Sequence, residues 1–320
     1  PINFSQSFSI GDQTKLFGKT LGIVGGFRYS SDYRFDPNST LSRTTQGADF
    51  SVENGEDVPV VTFFEQQLSQ ESHGLSGLIQ LSYKLNPNNS VSLLFMPNLL
   101  GQNSVRRYEG RDQNSSFDET VFGDDQFYEE RQQLIYQFKS AHFLPANGIK
   151  IDINASFTDG QRNVLDFKDT QYVREQGEFL FRSTFRPDRR YRFMTDDMFD
   201  SRLTVEIPIS EDKRRSKLCF GGGYHENNRQ NEQVIYKLQG VDDSRGETPP
   251  TNVLTDDRFF IRDSLPSFDL FYTAGGTELD SDIGFRRIYA VFGKIDHQFS
   301  ERWRLVAGLR GEYTDIYQDV

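Results

Sequence analysis

Two arginine-rich segments carry the side chains best suited to bind a ligand. The shorter segment consists of Arg106, Arg107 and Tyr108. Guanidinium groups bind anions through paired hydrogen bonds, and together with aromatic rings they suit anionic or sugar-like ligands. We therefore predict that both segments face a ligand path. For the longer segment the alternative is a loop whose side chains anchor it to the rest of the protein. The longer segment, flanked by Phe185 and Phe193, contains Arg186, Arg189, Arg190, Tyr191 and Arg192.

The other reactive side chains form no recognised motif. No two histidines are two or four residues apart, and the sequence has neither an H-E-x-x-H zinc motif nor a G-x-S-x-G nucleophile motif. We therefore predict no catalytic residue, no resident metal and no cofactor. The acidic pairs are interpreted as solvated loop charge, with calcium binding as the alternative, since hard cations prefer several oxygen ligands. These pairs are Asp124-Asp125, Asp196-Asp197, Asp242-Asp243 and Asp256-Asp257.

Composition narrows the class of protein. The net charge of −11 argues against a nucleic-acid partner, which would require a basic surface. The single cysteine, Cys219, excludes an internal disulfide or a cysteine-based zinc site. Apolar runs reach only about five residues, whereas a spanning helix needs about 20. Transmembrane helices are therefore excluded, but a transmembrane β-barrel is not, because its strands alternate and look soluble on average.

Alternation of apolar and polar side chains is the dominant pattern. Successive side chains on a strand point to opposite faces, so each alternating segment has one apolar and one polar face. The pattern predicts an all-β fold without helices. In the clearest segment, Ile149, Ile151, Ile153 and Phe157 alternate with Lys150, Asp152 and Asn154. Residues 21–29, 77–85, 203–209 and 303–313 alternate in the same way.

Short and long connections also alternate along the chain. Short turns are expected near residues 86–90, 145–148, 210–217 and 300–302, and long polar stretches separate them. Compact soluble domains rarely have loops beyond about 12–15 residues, whereas outer-membrane barrels combine short periplasmic turns with long extracellular loops. We predict antiparallel strands at Ile2–Ile10, Thr20–Ser31, Thr62–Leu85, Ser90–Tyr108, Phe127–Phe143, Ile149–Asp166, Arg202–Ile209, Lys217–Lys237, Gly284–Phe299 and Trp303–Tyr317.

Three segments resemble TonB-dependent outer-membrane receptors. Residues 294–313 contain Trp-x-Leu-x-x-Gly-x-Arg-x-Glu, beginning at Trp303, which is similar to a recurrent barrel hairpin of that family. Residues 3–22 resemble the first barrel hairpin after the plug domain, and residues 81–93 are also similar to barrel strands. The resemblance implies an antiparallel up-and-down barrel of about 22 strands. Residues 1–320 would be the N-terminal part of its barrel domain, without the plug.

The resemblance also implies a function. The family imports scarce ligands such as siderophores, glycans, peptides or vitamins across the cell outer membrane, with energy supplied through TonB. The expected partners are therefore outer-membrane lipid, the plug domain of the same full-length protein, the TonB energy complex and the ligand. Arg304, Arg310 and Glu312, on the polar face of the last predicted strand, are expected to contact the plug. No enzymatic activity is expected.

Two alternatives remain open from the sequence. The first is a self-closed barrel of about ten strands, acting as a pore or an outer-membrane enzyme. It requires the first strand, near residues 4–8, to pair with the last, near residues 305–313. The second is a soluble β-sandwich that serves as a surface adhesin, whose exposed faces would be polar.

Overall fold

The chain forms one antiparallel sheet. The computed structural model describes residues 2–44, 60–111, 120–175, 178–181, 188–209, 216–239, 271–274, 280–300 and 302–319. Within these ranges the chain is all-β, and no helix that could cross a membrane is found. The strands are β1 (Phe4–Leu16), β2 (Lys19–Thr44), β3 (Val60–Asn86), β4 (Asn89–Arg111), β5 (Val121–Leu144), β6 (Ile149–Glu175), β7 (Glu178–Phe181), β8 (Asp188–Pro208), β9 (Ser216–Gln239), β10 (Phe271–Ala274), β11 (Asp280–Gln298) and β12 (Arg304–Asp319).

The sheet has the predicted up-and-down topology. The ten long strands follow the order β1-β2-β3-β4-β5-β6-β8-β9-β11-β12, so each strand pairs with its neighbours along the chain. The short strands β7 and β10 pair with the ends of β6 and β9 and were not predicted. The predictions of an all-β fold, ten long strands and antiparallel neighbours are confirmed.

Several strands are longer than the alternation pattern predicts. β2 continues to Thr44, β6 continues to Glu175, and β8 begins at Asp188. In these extensions both faces carry polar side chains, so the contrast between the faces that marks a strand in sequence is lost. A bulge between Val164 and Phe167 of β6 also shifts the period there by one residue.

The short connections lie together at one end of the sheet. The β1–β2 turn consists of Phe17 and Gly18 with φ angles of 50° and 74°, the two positive values that a tight type I′ hairpin turn requires. Gly148 has a φ of 67°, and its amide donates to the Leu144 carbonyl at 2.8 Å to close the β5–β6 turn. The strand ends at Thr44, Val60, Arg111 and Val121, which border longer stretches of sequence, lie at the opposite end, so closely spaced and widely spaced strand ends alternate along the chain as predicted.

β1 and β12 lie at the two edges of the sheet. In the part of the chain that the structure describes, β1 pairs only with β2 and β12 pairs only with β11. The pairing of first and last strands that a self-closed barrel requires is therefore absent from these residues.

The sheet separates an apolar face from a polar face. Ile149, Ile151, Ile153 and Phe157 share one face of β6, and the register aligns Ile151 with Val205 of β8. Lys150, Asp152 and Asn154 lie on the other face, so the predicted division is confirmed. The apolar face is open: the exposed fraction is 56% for Leu93 and 67% for Val291. A soluble sandwich would cover such a face with a second sheet, but the described strands form only one.

Aromatic side chains mark both borders of an apolar band on this face. Trp303 and Phe299 lie at the end with the short turns. At about 3.3 Å per residue, the ten steps from Trp303 to Tyr313 span about 33 Å along the strand, or about 25 Å across a bilayer for a tilt of about 40°. The opposite border of the band is an aromatic row, which consists of Phe95, Tyr136, Phe157, Phe199, Tyr224, Tyr289 and Tyr313. The centroids of neighbouring rings in this row are 5.0–6.4 Å apart, except for Phe157 and Phe199, which are in register on adjacent strands.

Beyond the aromatic row the central strands continue as an outer arm, which we define as residues 63–72, 101–111, 121–131, 160–173 and 188–196. The arm contains most of the buried side chains among the described residues. It also contains nearly all of the predicted ligand-path arginines.

Candidate functional site

A row of charged side chains crosses the polar face of the outer arm. The register aligns Arg106 with Asp125, Asp125 with Asp169, and Asp169 with Asp188. Arg106 donates from Nε to Asp125 Oδ2 at 2.7 Å, and Arg190 donates from Nη2 to Asp188 Oδ2 at 2.6 Å. We call these five residues, Arg106–Asp125–Asp169–Asp188–Arg190, the carboxylate row. Two of the predicted ligand-path arginines are thus its end members.

Tyr108 lies beside this row in a small apolar cluster. Its ring packs at 4.9 Å from that of Phe64, and its hydroxyl accepts a hydrogen bond of 2.9 Å from Gln171 Nε2. The ring also covers Gly123, where a Cβ atom would overlap it, so glycine is required for the close approach. Burial, with the nearby Asp125 and Asp169 carboxylates, raises the pKa of the Tyr108 hydroxyl above its usual range. Tyr108 is therefore a neutral, buried anchor of the arm.

Between the carboxylate row and the aromatic row, Glu129 bridges two arginines. Only 1% of its side chain is exposed, and its carboxylate pairs with Arg131 and with Arg162, whose Nε donates to Oε2 at 2.6 Å. Arg131 and Arg162 also line a hollow of about 620 Å³ on the polar face, together with Arg28 and Asp196. The Glu129 bridge was not predicted, because its partners are separated by up to 33 residues in sequence and nothing in the local pattern links them.

The opposite face of the arm carries a second set of pairs. Arg107 Nε donates to Asp124 Oδ1 at 3.0 Å, and the Tyr172 hydroxyl donates to Asp124 Oδ2 at 3.4 Å. Burial raises the pKa of the Asp124 carboxyl, while Arg107 opposes this shift. Tyr172 stacks on Phe122 with ring centroids 5.8 Å apart. Arg107 and Tyr172 help to line a hollow of about 660 Å³ at this end of the sheet.

The longer arginine-rich segment is divided between the two faces. Arg190 and Arg192 lie on the polar face, where Arg192 donates to Gln233 Oε1. Arg189 lies on the other face and donates two hydrogen bonds to Asp166, at 2.9 and 2.6 Å. Tyr191 packs edge to face on Tyr236. Arg186 lies outside the described residues. The segment is thus not one cluster: Arg189 and Arg192 bond side chains on neighbouring strands, whereas Arg190 bonds Asp188 on its own strand.

The predicted plug-facing residues occupy the polar face near the β12 edge. Arg304 donates from Nε to Asp296 Oδ1 at 2.5 Å, and Arg310 donates from Nε to Glu312 Oε1 at 2.7 Å. About half of the Arg310 and Glu312 side chains is exposed. These residues therefore present polar atoms to whatever lies against this face.

The histidines have local hydrogen-bond partners. His142 bonds Ser140 and Asn89, and His297 bonds Ser216, each at 2.7 Å, close to the short turns where both were expected. His73 lies between Glu71 and Tyr29, and His225 is near Asp200. Within the described ranges, no group of three or more His, Cys, Asp or Glu side chains is placed to hold a metal ion.

Comparisons with known proteins give no relative of this chain. No family model matches it, and neither the curated proteins nor the solved structures contain a significant match. The sheet itself and the sequence resemblance to barrel hairpins are therefore the observations that bear on function.

Proposed function

We propose that this chain is part of the wall of a transmembrane β-barrel in a cell outer membrane. The observation that carries the proposal is the apolar band, about 25 Å high, bordered by aromatic side chains and backed by a polar face. Outer-membrane barrels need such a band, because lipid replaces the second layer that would cover an apolar face in a soluble protein. A band exposed to water would be costly, since burying one large aliphatic side chain stabilises a protein by about 1.5–3 kcal/mol.

The connections give the proposed orientation. The short turns at residues 17–18, 87–88 and 145–148 would face the periplasm, and the outer arm would project from the cell surface. The arm, in which polar pairs cover both faces, would then stand in water beyond the lipid. This orientation places Arg106, Arg107 and Tyr108 on the side from which a ligand arrives.

We further propose that the barrel imports a scarce ligand with energy supplied through TonB and that it is not an enzyme. The support is the resemblance of residues 294–313 and 3–22 to barrel hairpins of TonB-dependent receptors. In such a receptor a plug of the same full-length protein would lie against the polar face. The partly exposed Arg304, Arg310 and Glu312 supply polar contacts for that plug.

The orientation can be tested with epitope tags in intact cells. A tag inserted between residues 112 and 119 should bind antibody from outside. The same tag at the Pro87–Asn88 turn should bind antibody only after the outer membrane is permeabilised. Antibody binding to both tags in intact cells, or recovery of the protein in the soluble fraction, would contradict the proposal.

Energised import requires a separate test. Cells lacking the gene should grow more slowly than the parent under limitation of one nutrient, such as iron, cobalamin, peptide or glycan. The difference should disappear when TonB is depleted in both strains. A growth difference that persists without TonB would favour a passive pore.

A further inference from the structure

The carboxylate row contains more negative than positive charge. Three carboxylates, those of Asp125, Asp169 and Asp188, lie in register on adjacent strands, and one arginine closes each end. The arginines neutralise the two outer carboxylates. Arg190 lies 3.9 Å from the central one, Asp169, which is too far for a hydrogen bond. Full ionisation would therefore leave one negative charge between two others.

Burial makes that arrangement expensive. Asp125 and Asp188 are 5% and 6% exposed, and the Oδ1 atoms of all three aspartates are buried without a hydrogen-bond partner. An unpaired buried carboxylate oxygen costs much more free energy when it carries charge than when it is protonated. A proton on the central carboxyl would remove the excess charge and supply a donor to a neighbouring carboxylate.

A metal ion fits this site less well than a proton. The two arginines already occupy the Oδ2 atoms of Asp125 and Asp188, and cations repel one another. No metal-binding arrangement occurs among the described residues. A proton adds one positive charge, needs no ligand shell and fits between adjacent strands.

We propose that Asp169 carries a proton at neutral pH and that the carboxylate row is a pH-sensitive lock on the outer arm. With the proton in place, β5, β6 and β8 pair closely across the row. When the proton leaves, three adjacent buried carboxylates repel one another and the strands separate locally. This inference concerns the arm itself and does not depend on whether the protein imports a ligand.

The groups that face Asp169 come from several strands. β4 contributes Arg106 and Tyr108, β5 contributes Asp125, and β8 contributes Asp188 and Arg190. Gln171 on β6 is engaged by Tyr108. Lys237 of β9 is in register with Asp188, but its side chain lies outside the described part.

The direction of the pH effect follows from these contacts. Burial, then the Asp125 and Asp188 carboxylates, raises the pKa of Asp169 from 3.8 to about 8, against the opposing effect of Arg190. The closed arm therefore retains a proton that the open arm loses between about pH 4 and 8. Stability of the closed arm falls as pH rises through this window and is constant above it.

Hydrogen exchange of the full-length protein in detergent micelles tests the lock. Protection factors of the backbone amides at 121–126 and 168–173 should fall by up to about tenfold per unit between about pH 6 and 8. Asp169→Asn, which resembles the protonated acid in shape, should remove this slope. Asp166→Asn is the matched control on the same strand, because Asp166 pairs with Arg189 and Lys168; it should keep the slope.

Three results would overturn the proposal: no pH slope in the unmodified protein, an equal slope in Asp169→Asn, or protection that follows added calcium at constant pH. Should Asp169→Asn fail to fold, infrared spectroscopy of the unmodified protein decides. The carbonyl band of a protonated, buried carboxyl must be present at about pH 6 and absent at about pH 9. A band that is absent at both pH values contradicts the lock.

Discussion

The apolar band and the outer arm belong to the same strands but differ in what stabilises them. In the band, large side chains such as Leu93 and Val291 remain exposed on the apolar face. In the arm, Glu129, Val121 and Tyr108 are buried, and arginine–carboxylate pairs join adjacent strands. The band therefore needs its surroundings to cover it, whereas the arm is held together by its own cross-strand contacts.

This contrast suggests where each region is sensitive to change. A charge introduced into the band should be costly because of the proposed lipid around it. A change in the arm should be costly only where it disturbs a specific pair or a close packing contact. The four substitutions below test that distinction, beginning with the largest expected effect.

Ile151→Arg should cause the largest loss of stability. Ile151 lies near the middle of the apolar band, in register with Val205. An arginine at the bilayer midplane costs about 2–4 kcal/mol. Urea unfolding of the protein in lipid vesicles measures the effect. Ser156→Arg, on the polar face between Gln137 and Asp200, is the control and should cost less than about 1 kcal/mol. Equal costs would contradict the assignment of the faces.

Gly123→Ala should destabilise the arm by about 1–3 kcal/mol, as expected for overpacking. The added Cβ would overlap the Tyr108 ring and displace it from Phe64. Hydrogen exchange should increase in β4 and β5 of the arm but not in the band. Gly101→Ala is the control, because its nearest neighbour within reach is the Tyr128 hydroxyl at 3.9 Å. An equal increase in hydrogen exchange for both variants would show that the close contact between Gly123 and the Tyr108 ring does not stabilise the arm.

Glu129→Gln should cost about 1–2 kcal/mol. The substitution removes the charge from a buried bridge, but its two partner arginines are about half exposed and can be solvated by water. Glu130→Gln, on the adjacent exposed position, should change stability by less than about 0.5 kcal/mol. Urea titration compares the two variants. A neutral effect at both positions would mean that the bridge does not stabilise the arm.

Arg310→Ala should have the smallest effect on the fold. Its pair with Glu312 is exposed, and such pairs contribute about 0–1 kcal/mol. The midpoint of urea unfolding should therefore stay almost unchanged when residues 1–320 are studied without the proposed plug. A large loss of stability there would show that Arg310 has a structural role instead of one in plug contact.

The sequence predicted the band far better than the arm. Ile149, Ile151 and Ile153 alternate with polar residues because one face is apolar and one is polar, and this alone predicts a strand and its facing. The tight β1–β2 turn at Phe17 and Gly18 could not be predicted in this way, because phenylalanine rarely adopts the positive φ angle that it has there.

In the arm, the useful information lies between distant residues. Arg106 pairs with Asp125, and Asp125 aligns with Asp169 and then Asp188, although these residues are far apart in the chain. Only the register of the sheet brings them together, and the bulge near residue 165 changes that register. The sequence therefore singled out the arginines as ligand-path candidates but could not predict their partners.

Spin-label accessibility can show whether the apolar face contacts lipid, as we propose. With Cys219 replaced by alanine, single cysteines at Ile151, Leu203 and Val291 are labelled in the protein in lipid vesicles, with Asp152 and Asn154 as polar-face controls. The first three labels should be relaxed mainly by oxygen, which partitions into lipid, and the two controls mainly by a water-soluble nickel complex. Equal access of the nickel complex to both sets of labels would show that the apolar face does not contact lipid.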